Sequence, residues 1–352
     1  MRHFCTYFDK HYLSRGLVLY DSIAAHHASF RLYVCCFDNE AQAYLERLAL
    51  PGLIPIDHRG LEAHDAAFLT TRATRSRIEY FFTSTPCWLR FLFARFPEVD
   101  RLTYVDADLC FYSSCEPVFA EIAEASIAVV EHRFPARLRH LERCGRFNVG
   151  WLSFRRDADG LACIESWRER CLEWCYDRID GERFADQKYL DDWPSMFSSV
   201  VVLRHPGVDI APWNLDACHL DLDGPLLRID GAPLICFHFH GVKQLFGPLY
   251  ESGLRYYGVE LAPAVRRRLF EPYLRQLISH EEELRRAGLT MGRATSPRYV
   301  GTRWWTRSMR TLVDVVGLLA SRTYLVAPSI VTRLSAHAAQ ERDPTSQRRT
   351  CT

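Results

Sequence analysis

Along this chain, short runs of β-branched and aromatic residues alternate with stretches in which apolar side chains return every three or four positions. His3-Phe4-Cys5-Thr6-Tyr7-Phe8 predicts a first strand, which Asp9 ends, and Leu13, Leu17, Tyr20 and Ile23 then fall on one helical face. Arg31 through Phe37 predicts a second strand ahead of a helix carrying Ala41, Tyr44, Leu45 and Leu48, and Leu53 to Ile56 a third. Strands alternating with helices in this way predict a doubly wound, mostly parallel sheet with ligands at the carboxyl ends of its strands. Thr85-Pro86 reads as an N-cap with proline at the first helical position, opening a helix through Phe96. Further strands are predicted at Leu102 to Tyr112, Ile127 to Val130, Arg146 to Phe154, Val200 to Leu203 and Leu234 to Lys243. Between them, Leu161, Ile164, Trp167, Cys171, Trp174 and Cys175 form the apolar face of a helix, and Asp186 and Gln187 open a shorter one.

The 352 residues are 48% hydrophobic, enough for a substantial core, with 44 Lys and Arg against 43 Asp and Glu. So even a balance gives no global attraction to nucleic acid. Thirteen cysteines fall largely inside apolar or helical runs with no framework spacing, which predicts reduced, buried thiols and a cytoplasmic protein. Met1-Arg2-His3 leads into the first strand without an apolar signal segment. No Gly-x-Gly-x-x-Gly follows that strand, which counts against a dinucleotide-binding dehydrogenase. Residues 1–260 read as one α/β domain, 261–335 as a helical extension and 336–352 as a polar, disordered tail. Within the extension, Arg303, Trp304, Trp305, Arg307 and Arg310 precede an apolar stretch, residues 312–331, that Asp314 and Arg322 interrupt. Spanning a bilayer takes about 20 predominantly apolar residues, so this stretch either lies on the inner membrane face or packs on the domain.

Asp106 and Asp108 stand at the end of an otherwise apolar strand. Residues two apart on a strand share a face, and two convergent carboxylates suit Mn²⁺ or Mg²⁺ carrying a diphosphate. An isolated Asp-x-Asp is more often a solvated turn, but the run before this one is too apolar for a surface loop. His238 and His240 share the face of the last strand, before Gly241, which permits close backbone approach, and Lys243. His238 is the economical third ligand, with Lys243 reaching the same diphosphate. Arg90 sits among Trp88, Leu89, Phe91, Leu92 and Phe93; its charge needs either a structural carboxylate or an anionic ligand.

Taken together, these stations resemble the retaining glycosyltransferases of family eight, the GT-A-fold group that includes bacterial lipooligosaccharide galactosyltransferases and glycogenin. Over roughly residues 3–245, Asp106-Ala107-Asp108 resembles the family's metal motif, Phe147-Asn148-Val149-Gly150 its Phe-Asn-x-Gly, and Asp186-Gln187 with Leu190 its Asp-Gln-x-x-Leu. His238-x-x-Gly241 with Lys243 resembles its His-x-x-Gly-x-x-Lys, one residue short, and Asp9-Lys10-His11-Tyr12 replaces the familiar Asp-Asp-Asn-Tyr. A Tyr-Phe-x-Thr-x-Thr-Pro segment, Tyr80 to Pro86, is similar to one in uncharacterised bacterial sugar transferases.

The resemblance implies a GT-A fold with a helical C-terminal extension and a metal held by Asp106, Asp108 and His238. It implies donor contacts from Thr6, Asp9, Tyr12, Arg90, Gly241 and Lys243, and Asn148, Asp186 and Gln187 around the donor sugar. The implied reaction moves a sugar, with retention, from a nucleotide-diphosphate donor, UDP-linked by preference, to a glycan or lipid-linked acceptor. Two alternatives stay open. A nucleotidyltransferase making nucleotide sugars would also use two aspartates and a metal, and would carry a Gly-rich basic loop after the first strand. A non-catalytic carbohydrate-binding protein would have no need of Asp106, Asp108 and His238 together.

Overall fold

The computed structural model describes residues 1–289, 316–317 and 322–327. Eight strands come first in the chain: β1 (Arg2–Phe8), β2 (Phe30–Cys36), β3 (Leu53–Asp57), β4 (Arg101–Val105), β5 (Leu109–Phe111), β6 (Ile127–Glu131), β7 (Phe147–Arg155) and β8 (Val200–Leu203). Seven of them form one sheet in the order β3-β2-β1-β4-β7-β6-β8. Pairing is parallel between β1 and β2, β2 and β3, β1 and β4, and β6 and β8. β7 runs antiparallel to both β4 and β6. The sheet is therefore mostly parallel and buried on both faces, which is why β4 and β7 read as continuous apolar runs.

Helices cover the two faces as the apolar periodicity requires. α1 (Leu13–His26) and α2 (Asn39–Leu48) lie on one face, where Leu17, Leu19, Ala41 and Leu45 join Phe4, Val105 and Trp151 in a single core. On the other face, short α3 (His58–His64) and α4 (Ala66–Thr71) accompany α5 (Arg77–Arg95). There Trp88, Leu89 and Leu92 meet Tyr104, Leu152 and Phe154. α6 (Glu116–Ile122) returns to the first face through Val118 and Phe119, and α7 (Ala158–Glu173) to the second through Ile164 and Trp167. α8 (Trp193–Met196) is a single turn before β8.

Short strands β9 (Leu220–Asp221), β10 (Arg228–Ile229) and β11 (Ala232–Pro233) make a small antiparallel sheet, ahead of β12 (Cys236–His238), which pairs antiparallel with β5. β13 (Lys243–Phe246) and β14 (Leu249–Glu251) form a hairpin to which β15 (Tyr324–Val326) adds a third strand. α9 (Pro263–Val265) leads into α10 (Glu271–Arg286), which packs on α1. A third core of Phe237, Phe239, Phe270, Tyr273 and Leu325 holds these C-terminal pieces against the domain.

Three sequence expectations change. α5 begins at Arg77, not at Thr85, because Ser76 and Glu79 form a reciprocal capping box and Thr85 turns its hydroxyl to Asp186 instead of capping. Pro86 sits inside the helix, forgoing one backbone bond. Asp106-Ala107-Asp108 is not strand but a turn between β4 and β5, closed by Leu109 N–H to Asp106 O at 3.1 Å. The last predicted strand breaks after His238, where Gly241 takes a φ of +80° and reverses the chain. Of the apolar C-terminal stretch, Tyr324–Val326 is a strand packed on the domain. Arg303, Trp304, Trp305, Arg307, Arg310 and residues 336–352 lie outside the described residues. Among the described residues no helix is long and apolar enough to cross a membrane, and every cysteine is a free thiol.

Candidate active site

The turn after β4 is built so that both its carboxylates leave the sheet at the same edge. Asp106 N–H donates to Gly150 O at 3.1 Å, tying the turn to the antiparallel neighbour β7, and the Tyr104 hydroxyl donates to Asp106 Oδ1 at 2.8 Å. On the other side Phe239 N–H donates to Asp108 O at 2.9 Å, which extends the β5–β12 pairing and places His238 opposite Leu109. His238 Nε2 then lies 3.1 Å from Asp108 Oδ1 and 3.6 Å from Asp106 Oδ2. The structure brings together the three residues read from sequence as metal ligands. Two carboxylates and an imidazole nitrogen, converging on one point, are a fitting donor set for a hard or borderline divalent cation.

His240 joins this cluster. Ligand atoms of Asp108, His238 and His240 all lie within 4.8 Å of one another. The sequence placed His240 two residues along a strand; in the structure it follows the strand, and the turn at Gly241 keeps it close. Trp213 stands edge-on to both imidazoles, with ring centroids 5.3 Å from His238 and 5.5 Å from His240. Its indole nitrogen has no hydrogen-bond partner among the described residues.

One residue was missed from sequence. Asp209, fully buried, puts Oδ1 3.4 Å from His238 Nδ1 and accepts a 2.7 Å hydrogen bond from Asn148 Nδ2. Its backbone holds a φ of +52°, uncommon for a non-glycine residue and best tolerated by Asp and Asn. Ile210 bridges to Phe237 of β12, which fixes Asp209 behind the histidine. The imidazole is thus clamped with Nδ1 toward the protein and Nε2 toward Asp106 and Asp108. Gly150 permits this packing, since a Cβ there would stand 3.0 Å from the His238 ring. The only sequence signal for Asp209 is a carboxylate inside the apolar run Val208-Asp209-Ile210-Ala211, the same kind of signal that marked Asp106.

The electrostatics follow from burial and crowding. Burial pushes the Asp106 carboxyl up to about 6, against the pull of His238, and the neighbouring Asp108 charge adds to the rise. Asp108 is held below the ordinary carboxylate range: burial opposes, but the His238 charge and hydrogen bond win. His238 is itself held well above its ordinary value, because the Asp108 and Asp209 carboxylates outweigh the cost of burying its charge. Burial and the His238 charge lower His240 to about 4. Three carboxylates around one imidazole make this edge rich in acidic groups.

The residues read as sugar-facing divide. Asp186 is buried, accepts from Thr85 Oγ1 at 2.9 Å, and has its carboxyl raised to about 7 by burial. Thr85 in turn meets the Tyr7 hydroxyl at 3.1 Å, and Tyr7 interacts with Tyr104, which donates to Asp106. These contacts lead from Asp186 toward the cluster, the Tyr7 and Tyr104 rings 5.6 Å apart. Gln187 donates from Nε2 to Cys144 O at 3.0 Å. Asn148 is turned inward, to Asp209 and His238 Nδ1.

Among the donor-binding expectations, Thr6 is fully buried with a hydroxyl that has no hydrogen-bond partner among the described residues. Asp9 pairs with Arg77 and accepts from His11 N–H at 2.8 Å. Tyr12 is 40% exposed and available to stack on a planar ligand. Arg90 is not brought to the cluster. Its Nε lies 2.8 Å from Glu165 on α7 and an Nη 4.0 Å from Asp65, so the charge among aromatics is met by structural carboxylates. Lys243 is buried, with Nζ 2.9 Å from both Glu251 Oε2 and the Tyr256 hydroxyl.

No family model matches the chain. Among solved structures it is similar to the galactosyltransferase LgtC bound to donor and acceptor sugar analogs, at 15% identity and a TM-score of 0.47 over 76% of this chain and all of that one. It is also similar to the glycosyltransferase GlyE of Streptococcus pneumoniae TIGR4, at 14% identity and a TM-score of 0.47, over 82% of this chain and 64% of that one. Two Bacillus subtilis (strain 168) proteins, each described as uncharacterised, are nearer in sequence. YfnD is 28% identical over 292 residues, 81% of this chain and 91% of the relative. YfnF is 32% identical over 248 residues, 68% of this chain and 81% of the relative. At that identity and coverage, the chain belongs to the family of YfnF.

Proposed function

We propose that this protein is a metal-dependent glycosyltransferase that moves a sugar from a nucleoside-diphosphate donor, UDP-linked by preference, to a glycan or lipid-linked acceptor with retention of configuration. The observation that carries the reading is the convergence of Asp106, Asp108 and His238 at one sheet edge, 3.1 and 3.6 Å across. Two half-buried carboxylates crowded on one imidazole nitrogen repel each other, which a divalent cation held between them would relieve. Asp106, Asp108 and His238 would hold Mn²⁺ or Mg²⁺, which when bound would supply Lewis-acid charge to the departing diphosphate.

The chain's own residues do the rest. Asp209 and Asn148 orient His238 so that Nε2 faces outward. Tyr12 offers its face to the base. Gln187, its amide nitrogen tied to Cys144, keeps Oε1 for the positive charge that develops on the sugar, a preorganised dipole of the kind that lowers such barriers. An amide is a weak nucleophile, so acceptor attack from the leaving-group side fits better than a covalent enzyme intermediate. Asp186, held by Thr85, positions the adjoining Gln187.

Calorimetric titration with UDP, GDP, ADP and CDP tests this reading. At least one should bind in the presence of Mn²⁺ and lose most of its affinity when Mn²⁺ is chelated. No binding by any of the four, or binding indifferent to the metal, would remove the proposal. Proton NMR of a fresh reaction should show the anomer of the donor; the opposite anomer would remove retention alone.

A further inference from the structure

Arg15 stands at the start of α1, 5% exposed, and its guanidinium brings five N–H donors into the protein. Among the described residues it makes one hydrogen bond, from Nη2 to Val242 O at 2.8 Å, and lies over the Tyr12 ring at 4.6 Å from the centroid. No carboxylate among the described residues comes within the 4.0 Å of an ion pair. Asp108 and Glu281 act on it only through space. A buried guanidinium without a paired anion is an exception that calls for a ligand. On α10, which packs on α1, Tyr273 is 1% exposed and its hydroxyl has no hydrogen-bond partner among the described residues.

The position of this cation is informative. Val242, which Arg15 grips, immediately precedes Lys243, the residue that sequence resemblance assigned to the diphosphate. Lys243 is committed inside the protein: its Nζ meets Glu251, which Arg255 also approaches at 3.3 Å. Drawing the lysine out to a ligand would take from buried Glu251 the nearer of these two cations. Arg15 carries no such obligation. It lies between the exposed Tyr12 ring and the loop that follows the histidine cluster, and the amino end of α1 adds its partial positive charge.

We infer that Arg15 supplies the fixed cation for the phosphates of a nucleoside diphosphate, its guanidinium fork meeting phosphate oxygens while Tyr12 stacks on the base. The inference rests on the proposed function and adds to it the residue that reads the diphosphate. A planar fork suits phosphate bidentately, which a lysine does not.

The test uses full-length protein, Mn²⁺, and whichever of UDP, GDP, ADP and CDP the wild type binds most tightly. Arg15→Gln should weaken that nucleotide roughly 10- to 100-fold and leave the affinity for Mn²⁺ alone unchanged. Arg15→Lys, which keeps the charge without the fork, should recover part of the loss; a purely structural role would show no such recovery. Should the glutamine variant not melt cooperatively, Arg15→Met, which retains the apolar stem over Tyr12, takes its place. A folded Arg15 variant that binds the nucleotide as the wild type does would overturn the assignment while leaving the glycosyltransferase reading in place. A wild type that binds none of the four nucleotides would overturn both.

Discussion

At the scale of single residues, the site turns on which nitrogen His238 presents. Nδ1 faces Asp209 and Asn148, so under the proposed function Nε2 alone would be offered to a metal. Removing the carboxylate behind a metal-binding imidazole commonly costs 10- to 100-fold in metal affinity. Asp209→Ala should therefore weaken Mn²⁺ binding by roughly that factor, measured by electron paramagnetic resonance of free Mn²⁺, although Asp209 touches no metal. Unchanged affinity would reduce Asp209 to a structural acceptor. His238→Ala and His240→Ala separate the two imidazoles. With both near Asp108, each should weaken Mn²⁺ binding, His238→Ala more, because its ring is the one held from behind by Asp209 and Asn148. Equal affinity in His240→Ala and wild type would show that His240 packs against Trp213 without ligating.

At the scale of elements, α5 and α7 are joined by an ion cluster rather than by the site. Asp65 accepts from Arg168 Nη2 at 2.7 Å and lies near Arg90, and its carboxyl sits below the ordinary value: burial pushes it up, but the Arg168 hydrogen bond and charge outweigh this. A group depressed in the folded state contributes stability above its unfolded pKa, near 4, and loses it as pH falls through the folded value. Asp65→Asn should thus destabilise by about 3 kcal/mol at about pH 7. The difference from wild type in urea melts should shrink toward about pH 3. A deficit that stays constant with pH would place the effect in packing instead. Arg90→Ala, by the same geometry, should lower stability without altering nucleotide affinity, in line with the structural-carboxylate reading of its charge rather than the donor contact that the resemblance implied.

At the scale of the whole molecule, the described C-terminal pieces pack on the elements that carry the site. β15 adds to the β13–β14 hairpin, and Leu325, 1% exposed, shares a core with Phe237 and Phe239 beside His238. Leu325→Ala should cost about 2–5 kcal/mol, read as a lowered urea midpoint for the whole cooperative transition. A midpoint equal to wild type would mean that this strand is not docked in solution. The alternating pattern of strands and helices was legible in the sequence because each element buries one face, and the burial period survives as a hydrophobic period. Asp106, Asp108 and His238 were legible for the opposite reason: polar groups in apolar runs violate that period, and such violations mark places where something must be held. Pairings between distant segments leave no such trace. The capping box at Ser76 competed with a more conspicuous Thr85-Pro86, and only the position of Asp186 decided where the Thr85 hydroxyl would go. Asp209 behind His238, Arg90 between Asp65 and Glu165, Lys243 against Glu251, and Arg15 left without a carboxylate all depend on contacts across long stretches of chain. The sequence by itself determined which side chains had to be buried and which charges would be expensive there; only the tertiary structure decided which charge meets which, because a side chain's partner is set by the packing of elements and not by local periodicity.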